Sequence, residues 1–290
     1  MNTQSSHFDF RLVEQDRAIA PHSVDLARHI RDLALRMVSR ANASHIGSVL
    51  SIADIVAVLY GGALNVFPDR PHDPSRDRFI LSKGHACVAI YAALAERGFI
   101  PHDLLETYGR DGSQLMAHIS HHVPGVEFST GALGHGLSFG VGKALAARRL
   151  GADWRTVVLL SDGECGEGSN WEAFLFAAHH RLDRLTAIID YNKLQSLGSV
   201  SDTLGLEPLG EKLTAFGWAV REVDGHDHDI LAHHLASKMW EPGKPQMLIA
   251  HTTKGKGVPF MEGKVEWHYK APNPEQLTQA LAAIWEGFDA

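Results

Sequence analysis

Two polar residues, Asp162 and Asn192, follow apolar runs of the kind that form buried strands. The runs are residues 156–160 (TVVLL) and 185–189 (LTAII), and residues 171–180 between them have apolar positions at helical spacing. The segment therefore predicts a strand–helix–strand unit with two parallel strands. This places Asp162 and Asn192 just past the carboxyl ends of the strands, at the edge where open α/β sheets bind ligands.

The side chains of Asp162 and Asn192 supply hard oxygen donors, which suit Mg²⁺ or Ca²⁺ rather than a soft metal. Mg²⁺ usually takes one or two carboxylates and completes its shell with water and phosphate oxygens. The alternative is that each residue only caps a turn, as Asp and Asn often do. The two residues together, at this spacing, favour a magnesium–diphosphate site.

Further loops reach the same edge of the predicted sheet. Residues 82–85 (SKGH) follow a predicted strand, residues 131–136 (GALGHG) open a helix, and residues 252–257 (TTKGKG) form a basic turn after another strand. Glycines allow a backbone to approach a cofactor closely, and a helix N-terminus favours an anion. A glycine-rich helix start is a weak signal when it stands alone.

The pattern as a whole predicts one doubly wound α/β domain, a mostly parallel sheet with helices on both faces, over residues 21–290. Residues 1–20 are polar without clear periodicity and are predicted to be an N-terminal arm. Ser23 is predicted to be the N-cap of a helix reaching about residue 42. Ser51 with Asp54 resembles a capping box that starts another helix.

Composition excludes several classes of function. The formal charge of −7 gives no basic footprint for nucleic acid. No apolar run approaches the roughly 18 residues of a membrane span, and the N-terminus lacks a signal-peptide core. Two cysteines suit a reducing cytoplasm, with Cys165 predicted to be a small filler rather than a nucleophile. The 19 histidines show no zinc-binding spacing.

The motif Asp162-Gly163, followed by Asn192 thirty residues after the aspartate, resembles the thiamine diphosphate fingerprint of thiamine-dependent enzymes. The context at residues 167–172 and 190–195 is similar to the transketolase branch in particular. Ser161 stands where that family usually has glycine. The resemblance to the transketolase diphosphate-binding domain covers residues 23–272 and implies the thiamine diphosphate-binding fold.

The resemblance implies roles for four histidines. His45, His118 and His268 would face the hydroxyls and carbonyl of the substrate, and His85 would lie near the diphosphate and the reacting carbon. Histidine suits proton transfer near neutral pH, which a ketol transfer requires. Any one of them alone would more simply be a surface or core residue. Ile46 departs from the proline common in the family.

The resemblance also implies the cofactor contacts. Gly131 and Leu133 would hold the aminopyrimidine, in a loop that departs from the family at residues 132 and 135. Gly163 would hold a phosphate oxygen, and three groups would hold the metal: Asp162, Asn192 and the backbone carbonyl of Leu194. Glu167 would lie at a dimer interface and communicate with the activating glutamate of the partner; a surface carboxylate at a helix start is the equal alternative.

The function implied by the resemblance is the N-terminal subunit of a two-component transketolase that uses thiamine diphosphate and Mg²⁺. The chain ends at Ala290 with no candidate for the activating glutamate, so a separate C-terminal subunit, a dimer of heterodimers and sugar phosphate or nucleotide-sugar substrates are expected. The alternatives are another thiamine-dependent reaction, such as deoxyxylulose phosphate synthesis or 2-oxoacid decarboxylation, and a non-catalytic regulator that binds the cofactor.

Overall fold

Five parallel strands form the central sheet of the chain, whose computed structural model describes residues 10–286. The strands in chain order are β1 (Arg78–Leu81), β2 (Thr156–Ser161), β3 (Leu185–Tyr191), β4 (Ala219–Asp224) and β5 (Gln246–His251). Their spatial order is β1-β2-β3-β5-β4. Because every neighbouring pair is parallel, all carboxyl ends lie at one edge, as predicted.

Ten α-helices of the described residues surround the sheet. They are α1 (Phe10–Ala41), α2 (Ile46–Ser51), α3 (Ala53–Val58), α4 (Cys87–Glu96), α5 (Gly136–Leu150), α6 (Gly168–His179), α7 (Val200–Thr203), α8 (Leu209–Ala215), α9 (His228–Ala236) and α10 (Pro274–Glu286). Side chains of α1, α3, α4, α9 and α10 join one core cluster, and those of α5, α6 and α8 join another.

The strand β2 shows how the two cores are separated. Val157 and Leu159 belong to one cluster, whereas Val158 and Leu160 belong to the other. Successive side chains of a strand point to opposite faces, so a strand covered on both faces is apolar throughout. The predicted doubly wound α/β fold is confirmed.

The start of α1 differs from the prediction. Ser23 is not an N-cap but lies inside the helix, where its hydroxyl donates to the carbonyl of Ala20 at 2.8 Å. Ile19 and Ala20 are buried in the core, and this packing overrides the weak periodicity of the segment. The helix crosses the predicted boundary at residue 20, and residues 1–9 of the predicted arm lie outside the described residues.

The predicted capping box at Ser51 and Asp54 is also wrong. Ser51 ends α2, and α3 begins after Ile52, which makes no side-chain cap. The Ser51 hydroxyl instead donates to Asp190 at 2.6 Å, and Asp54 is paired with Arg31. Both side chains are buried, so distant partners satisfy them in place of the helix terminus.

Two loops contain short helical segments. Residues His102–Thr107, which follow α4, form a 3₁₀ helix, and residues 197–210, which follow β3, contain α7. Within residues 10–286, no helix has the length and apolar character needed to cross a membrane.

Candidate functional site

A cavity of about 260 Å³ lies at the carboxyl edge of the sheet. The five loops predicted to meet at this edge, at Asp162, Asn192 and residues 82–85, 131–136 and 252–257, contribute to its lining, together with the loop at His45, so the predicted arrangement is confirmed. The lining includes His45, Ser48, Lys83, His85, His118, Gly131, Leu133, Asp162, Gly163, Asn192, Leu194, Gln195, Lys254 and His268.

Four histidine rings cluster in the cavity. The centroid of His45 lies 5.1 Å from that of His85, 5.9 Å from His118 and 4.9 Å from His268. The backbone N–H of His45 donates to the carbonyl of His268 at 2.7 Å, which joins the loop before α2 to the 3₁₀ turn Val265–His268. Four segments far apart in sequence thus bring their imidazoles to one place.

Burial keeps most of this cluster uncharged. Together with neighbouring histidine and lysine charges, it lowers the pKa of His45 to about 4 and that of His268 to about 3. The pKa of His85 is also lowered well below its usual range, mainly by burial and by Lys83. A neutral imidazole has one donor and one acceptor nitrogen, so each ring can donate a hydrogen bond to a substrate oxygen and accept one from a substrate hydroxyl near neutral pH.

A buried ion pair between Lys83 and Asp190 lies at the cavity, which Lys83 lines. Both side chains are fully buried, and the carboxylate also accepts hydrogen bonds from the hydroxyls of Ser51 and Thr252. Burial alone would raise the pKa of Asp190, but Lys83 and these donors hold it below its usual value. Asp190 is therefore ionised, and its contact with Lys83 links the loop after β1 to the end of β3.

A second buried cation, Lys254, reaches the cavity from the loop after β5. Its ammonium donates to the carbonyls of Leu194 at 3.0 Å and Gln195 at 3.4 Å, and lies 3.2 Å from Nδ1 of His268. Burial, followed by repulsion from Lys83, lowers the pKa of Lys254 to about 8. Two lysines at one cavity make it suited to an anionic ligand.

The three predicted metal-binding groups also lie at the cavity. Asp162 is buried, and its carboxylate accepts from the N–H groups of Gly163 and Lys193, both at 2.6 Å. Burial and the charge of Asp190 raise the pKa of Asp162 to about 6. A cation beside this carboxylate would offset both effects.

The donor set fits Mg²⁺. It combines one carboxylate, the amide oxygen of Asn192 and the carbonyl of Leu194, all of them hard oxygens, in a cavity whose cations can hold phosphate. Residues 10–286 contain no cluster of three or more His, Cys, Asp or Glu side chains able to hold a metal. Mg²⁺ does not need such a cluster, since water and phosphate oxygens complete its shell.

Glu164, which the sequence analysis did not single out, joins three parts of the site. Its buried carboxylate accepts hydrogen bonds from the hydroxyl of Ser82, from the N–H of Gly134 at 2.8 Å and from the N–H of Ser161 at 3.3 Å. Gly134 has φ +84°, and a Cβ there would lie 2.6 Å from the Ser169 hydroxyl, so the loop requires glycine. Glu164 thus fixes the glycine loop against the ends of β1 and β2.

The remaining predicted residues divide into two groups. Gly131, Leu133 and Gly163 line the cavity, whereas Glu167 is exposed at the start of α6 and is not among the lining residues. Cys165 is fully buried, which agrees with a filler role, and its pKa is raised well above the usual range by burial. The roles assigned to all these residues stay predictions.

The sequence did contain a signal for the buried charges that were missed. Asp190 is the second-to-last residue of the largely apolar strand β3, and Lys83 lies two residues past the end of β1. A charge in such a position needs a partner, and parallel strands bring their ends together. The sequence could not say which charges pair, because that depends on the spatial order of the strands.

The sequence of the chain is similar to those of known transketolase domains and subunits. Residues 23–289 match the family model described as transketolase, thiamine diphosphate binding domain. The chain is 44% identical to an apulose-4-phosphate transketolase subunit of Phocaeicola vulgatus, over 88% of this chain and 91% of that protein. It is 40% identical to 6-deoxy-6-sulfo-D-fructose transketolase subunit SqwG of a Clostridium species, over 89% and 94% respectively.

A solved structure matches the fold of the chain. Transketolase from Campylobacter jejuni superimposes with a TM-score of 0.85 at 30% identity, covering 92% of this chain. The match covers only 43% of that structure's chain, so the similarity is to one part of a longer protein.

Proposed function

The chain belongs to the transketolase family, and on that premise we propose that it is the N-terminal subunit of a two-component transketolase dependent on thiamine diphosphate and Mg²⁺. The reaction is the transfer of a two-carbon ketol unit between sugar phosphates. The observation that carries the proposal is the single cavity that contains both the oxygen donors at Asp162 and Asn192 and the four histidines.

The cavity supports the proposed cofactor through its charges. Lys83 and Lys254 supply positive charge for a diphosphate, and Asp162, Asn192 and Leu194 supply oxygen donors for the metal. Gly163 and Gly131 leave room for close approach of a ligand to the backbone. Thiamine diphosphate, when bound, supplies the carbanion chemistry that a ketol transfer requires.

The protein itself supplies proton transfer and orientation. His45, His85 and His268 are held neutral and lie within 6 Å of one another by ring centroid, so each can donate or accept a proton at a substrate oxygen. His118 is exposed at the mouth of the cavity, where an incoming sugar would meet it first. The buried Lys83–Asp190 ion pair lies next to these rings, and the charge of Lys83 acts on His85.

A separate partner subunit is the second part of the proposal. Two relatives that match this chain over more than nine-tenths of their own length are named as transketolase subunits, whereas the Campylobacter transketolase chain is more than twice as long as the matched part. We propose that the partner supplies the remaining domains, including the glutamate that activates the cofactor. A dimer of heterodimers is the expected assembly, since closed twofold symmetry is common.

The substrate class is proposed from the relatives. Their names indicate a sugar phosphate, apulose-4-phosphate, in one case and a sulfonated fructose in the other, and both of these sugars carry an anionic group. We propose a ketose phosphate as donor. We also propose a cytoplasmic location, which agrees with two free, buried cysteines.

The test is a reconstitution assay. Transfer of a two-carbon unit from a ketose phosphate to an aldehyde is measured with this chain alone, with its partner alone, and with both. Activity is expected only with both subunits and with Mg²⁺ and thiamine diphosphate present. Substantial turnover by this chain alone would contradict the two-component proposal. A verified partner that gives no turnover with any of several donors would indicate a non-catalytic cofactor-binding role instead.

A further inference from the structure

A buried carboxylate outside the cavity collects four hydrogen bonds. Asp54, on α3, accepts two from the guanidinium of Arg31 at 2.8 and 2.6 Å. It also accepts one from Nδ1 of His226 at 2.7 Å and is 3.0 Å from Nε2 of His228. Arg31 and Asp54 are almost fully buried, and their hydrogen bonds join α1 and α3 to the segment after β4 that carries the two histidines.

The other nitrogen of His226 determines its tautomer. Nε2 accepts the backbone N–H of Thr253 at 2.8 Å, and because a backbone N–H can only donate, Nε2 carries no proton. The ring is therefore neutral, with its proton on Nδ1 directed at Asp54. In this state His226 joins Asp54 to the loop that follows β5.

Arg31 makes a second link to the same loop. Its Nε donates to the carbonyl of Lys256 at 3.1 Å. The chain then turns at Gly257, which has φ +91° and whose Cβ position lies 3.3 Å from Arg31 Cδ. Both links start from the Asp54 pair, and they hold the loop one residue before Lys254 and two residues after it.

Lys254, between these two links, contacts the cavity. Its ammonium donates to the carbonyls of Leu194 and Gln195, which belong to the loop after β3. A displacement of the loop by 1 Å would lengthen these bonds past the range of a hydrogen bond.

We propose that Asp54 and His226 are positioning residues of the diphosphate site: they hold the loop 252–257 in the conformation that brings Lys254 to the cavity. The inference rests on the proposed function in that it takes the cavity to be a diphosphate site. Neither Asp54 nor His226 lines the cavity, so they act through Thr253 and Lys254.

The chain provides a matched control for a test on His226. His228 also contacts Asp54, and the two imidazoles are similarly buried, with side-chain exposures of 11% for His228 and 13% for His226. The second nitrogen of His228 contacts Ser23 on α1, not the loop. His226→Phe and His228→Phe thus each remove one contact with Asp54, but only the first removes the contact with Thr253.

The full chain is studied by residue-resolved amide hydrogen exchange and by titration with inorganic pyrophosphate in the presence of Mg²⁺. In His226→Phe, the Thr253 amide is expected to exchange at least about tenfold faster, because its acceptor is gone. Pyrophosphate is expected to bind about fivefold more weakly or worse, as Lys254 is no longer held. His226→Gln, which retains a polar acceptor, is expected to restore part of the protection of the Thr253 amide and part of the pyrophosphate affinity. In His228→Phe, the Thr253 exchange rate and the pyrophosphate affinity should each stay within about twofold of wild type.

Three outcomes would overturn the proposal. They are unchanged Thr253 exchange in His226→Phe, equal acceleration in both phenylalanine variants, and a released Thr253 amide with unchanged pyrophosphate affinity. A wild-type chain that does not bind pyrophosphate with Mg²⁺ would contradict the proposed function instead. In that case the exchange rates would still decide whether His226 holds the loop.

Discussion

The amide of Asn192 donates from Nδ2 to the carboxylate of Asp190 at 3.1 Å, and this contact determines which way the amide points. Nδ2 also donates to the hydroxyl of Ser51 at 3.1 Å, so both its protons have acceptors. The amide oxygen is left on the opposite side, where it accepts the N–H of Leu194 and faces the cavity. Asp190 and Ser51 thus orient the amide oxygen of Asn192, which is one of the groups proposed to bind the metal ion.

The first prediction concerns the metal site. Asp162→Ala and Asn192→Ala are each expected to abolish Mg²⁺-dependent binding of thiamine diphosphate, because the diphosphate charge is no longer offset by a bound cation. Calorimetry on the reconstituted complex measures the affinity, and circular dichroism checks the fold. Asp153→Ala, at a carboxylate that is 91% exposed, is the control and should bind normally. Unchanged affinity in both site variants would rule out the metal site.

The second prediction concerns two histidines of the same loop, only one of which lines the cavity. His118 lines the cavity, whereas His121, three residues later, bonds to Ser129 and is not among the lining residues. His118→Ala is expected to lower kcat/KM for ketol transfer by about 100-fold, since a proton donor or acceptor at the substrate is lost. His121→Ala should change it less than about twofold. Equal losses in the two variants would contradict a substrate contact for His118.

The third prediction concerns Glu164. Glu164→Ala removes the acceptor of Ser82, Gly134 and Ser161 at once, so the free energy of unfolding is expected to fall by about 3 kcal/mol. Glu164→Gln keeps one oxygen acceptor, so its free energy of unfolding should fall by less than that of the alanine variant. Urea denaturation measures both. A loss below about 1 kcal/mol in the alanine variant would show that Glu164 does not hold the glycine loop.

The fourth prediction is a pH dependence of stability. Burial alone would raise the pKa of Asp54, but Arg31, His226 and His228 hold it well below its ordinary value of 3.8. The charged carboxylate therefore stabilises the fold at any pH above about 3.8, and this stabilisation is lost as the pH falls through the lower folded pKa.

Asp54→Asn is accordingly expected to be less stable than wild type by about 4 kcal/mol at pH 7, because Arg31 is left buried and unpaired. The difference should stay constant down to about pH 4 and narrow below it. Urea denaturation at a series of pH values tests this. A difference that narrows between pH 7 and pH 5 would mean that another group is responsible.

The local patterns of the sequence were enough to predict the sheet. The strands at residues 156–161 and 246–251 are apolar because they are covered on both faces, and such runs need no knowledge of distant partners. The loops at His85, Gly131 and Asp162 were predicted to meet because parallel strands and helix starts leave them at one edge. The failed N-caps at Ser23 and Ser51 have the opposite origin, since distant buried partners prevailed over a local capping motif.

The sequence by itself determined the fold class, the edge of the sheet that carries the chemistry and the residue types available there. These depend on periodicity and on the placement of polar residues after apolar runs, which are local properties. The tertiary structure alone decided that Lys83 pairs with Asp190, that Glu164 joins three loops and that His226 reaches Thr253. Those pairings depend on which strands and helices become neighbours, and residues 107 positions apart in the chain, such as Lys83 and Asp190, carry no local sign of one another.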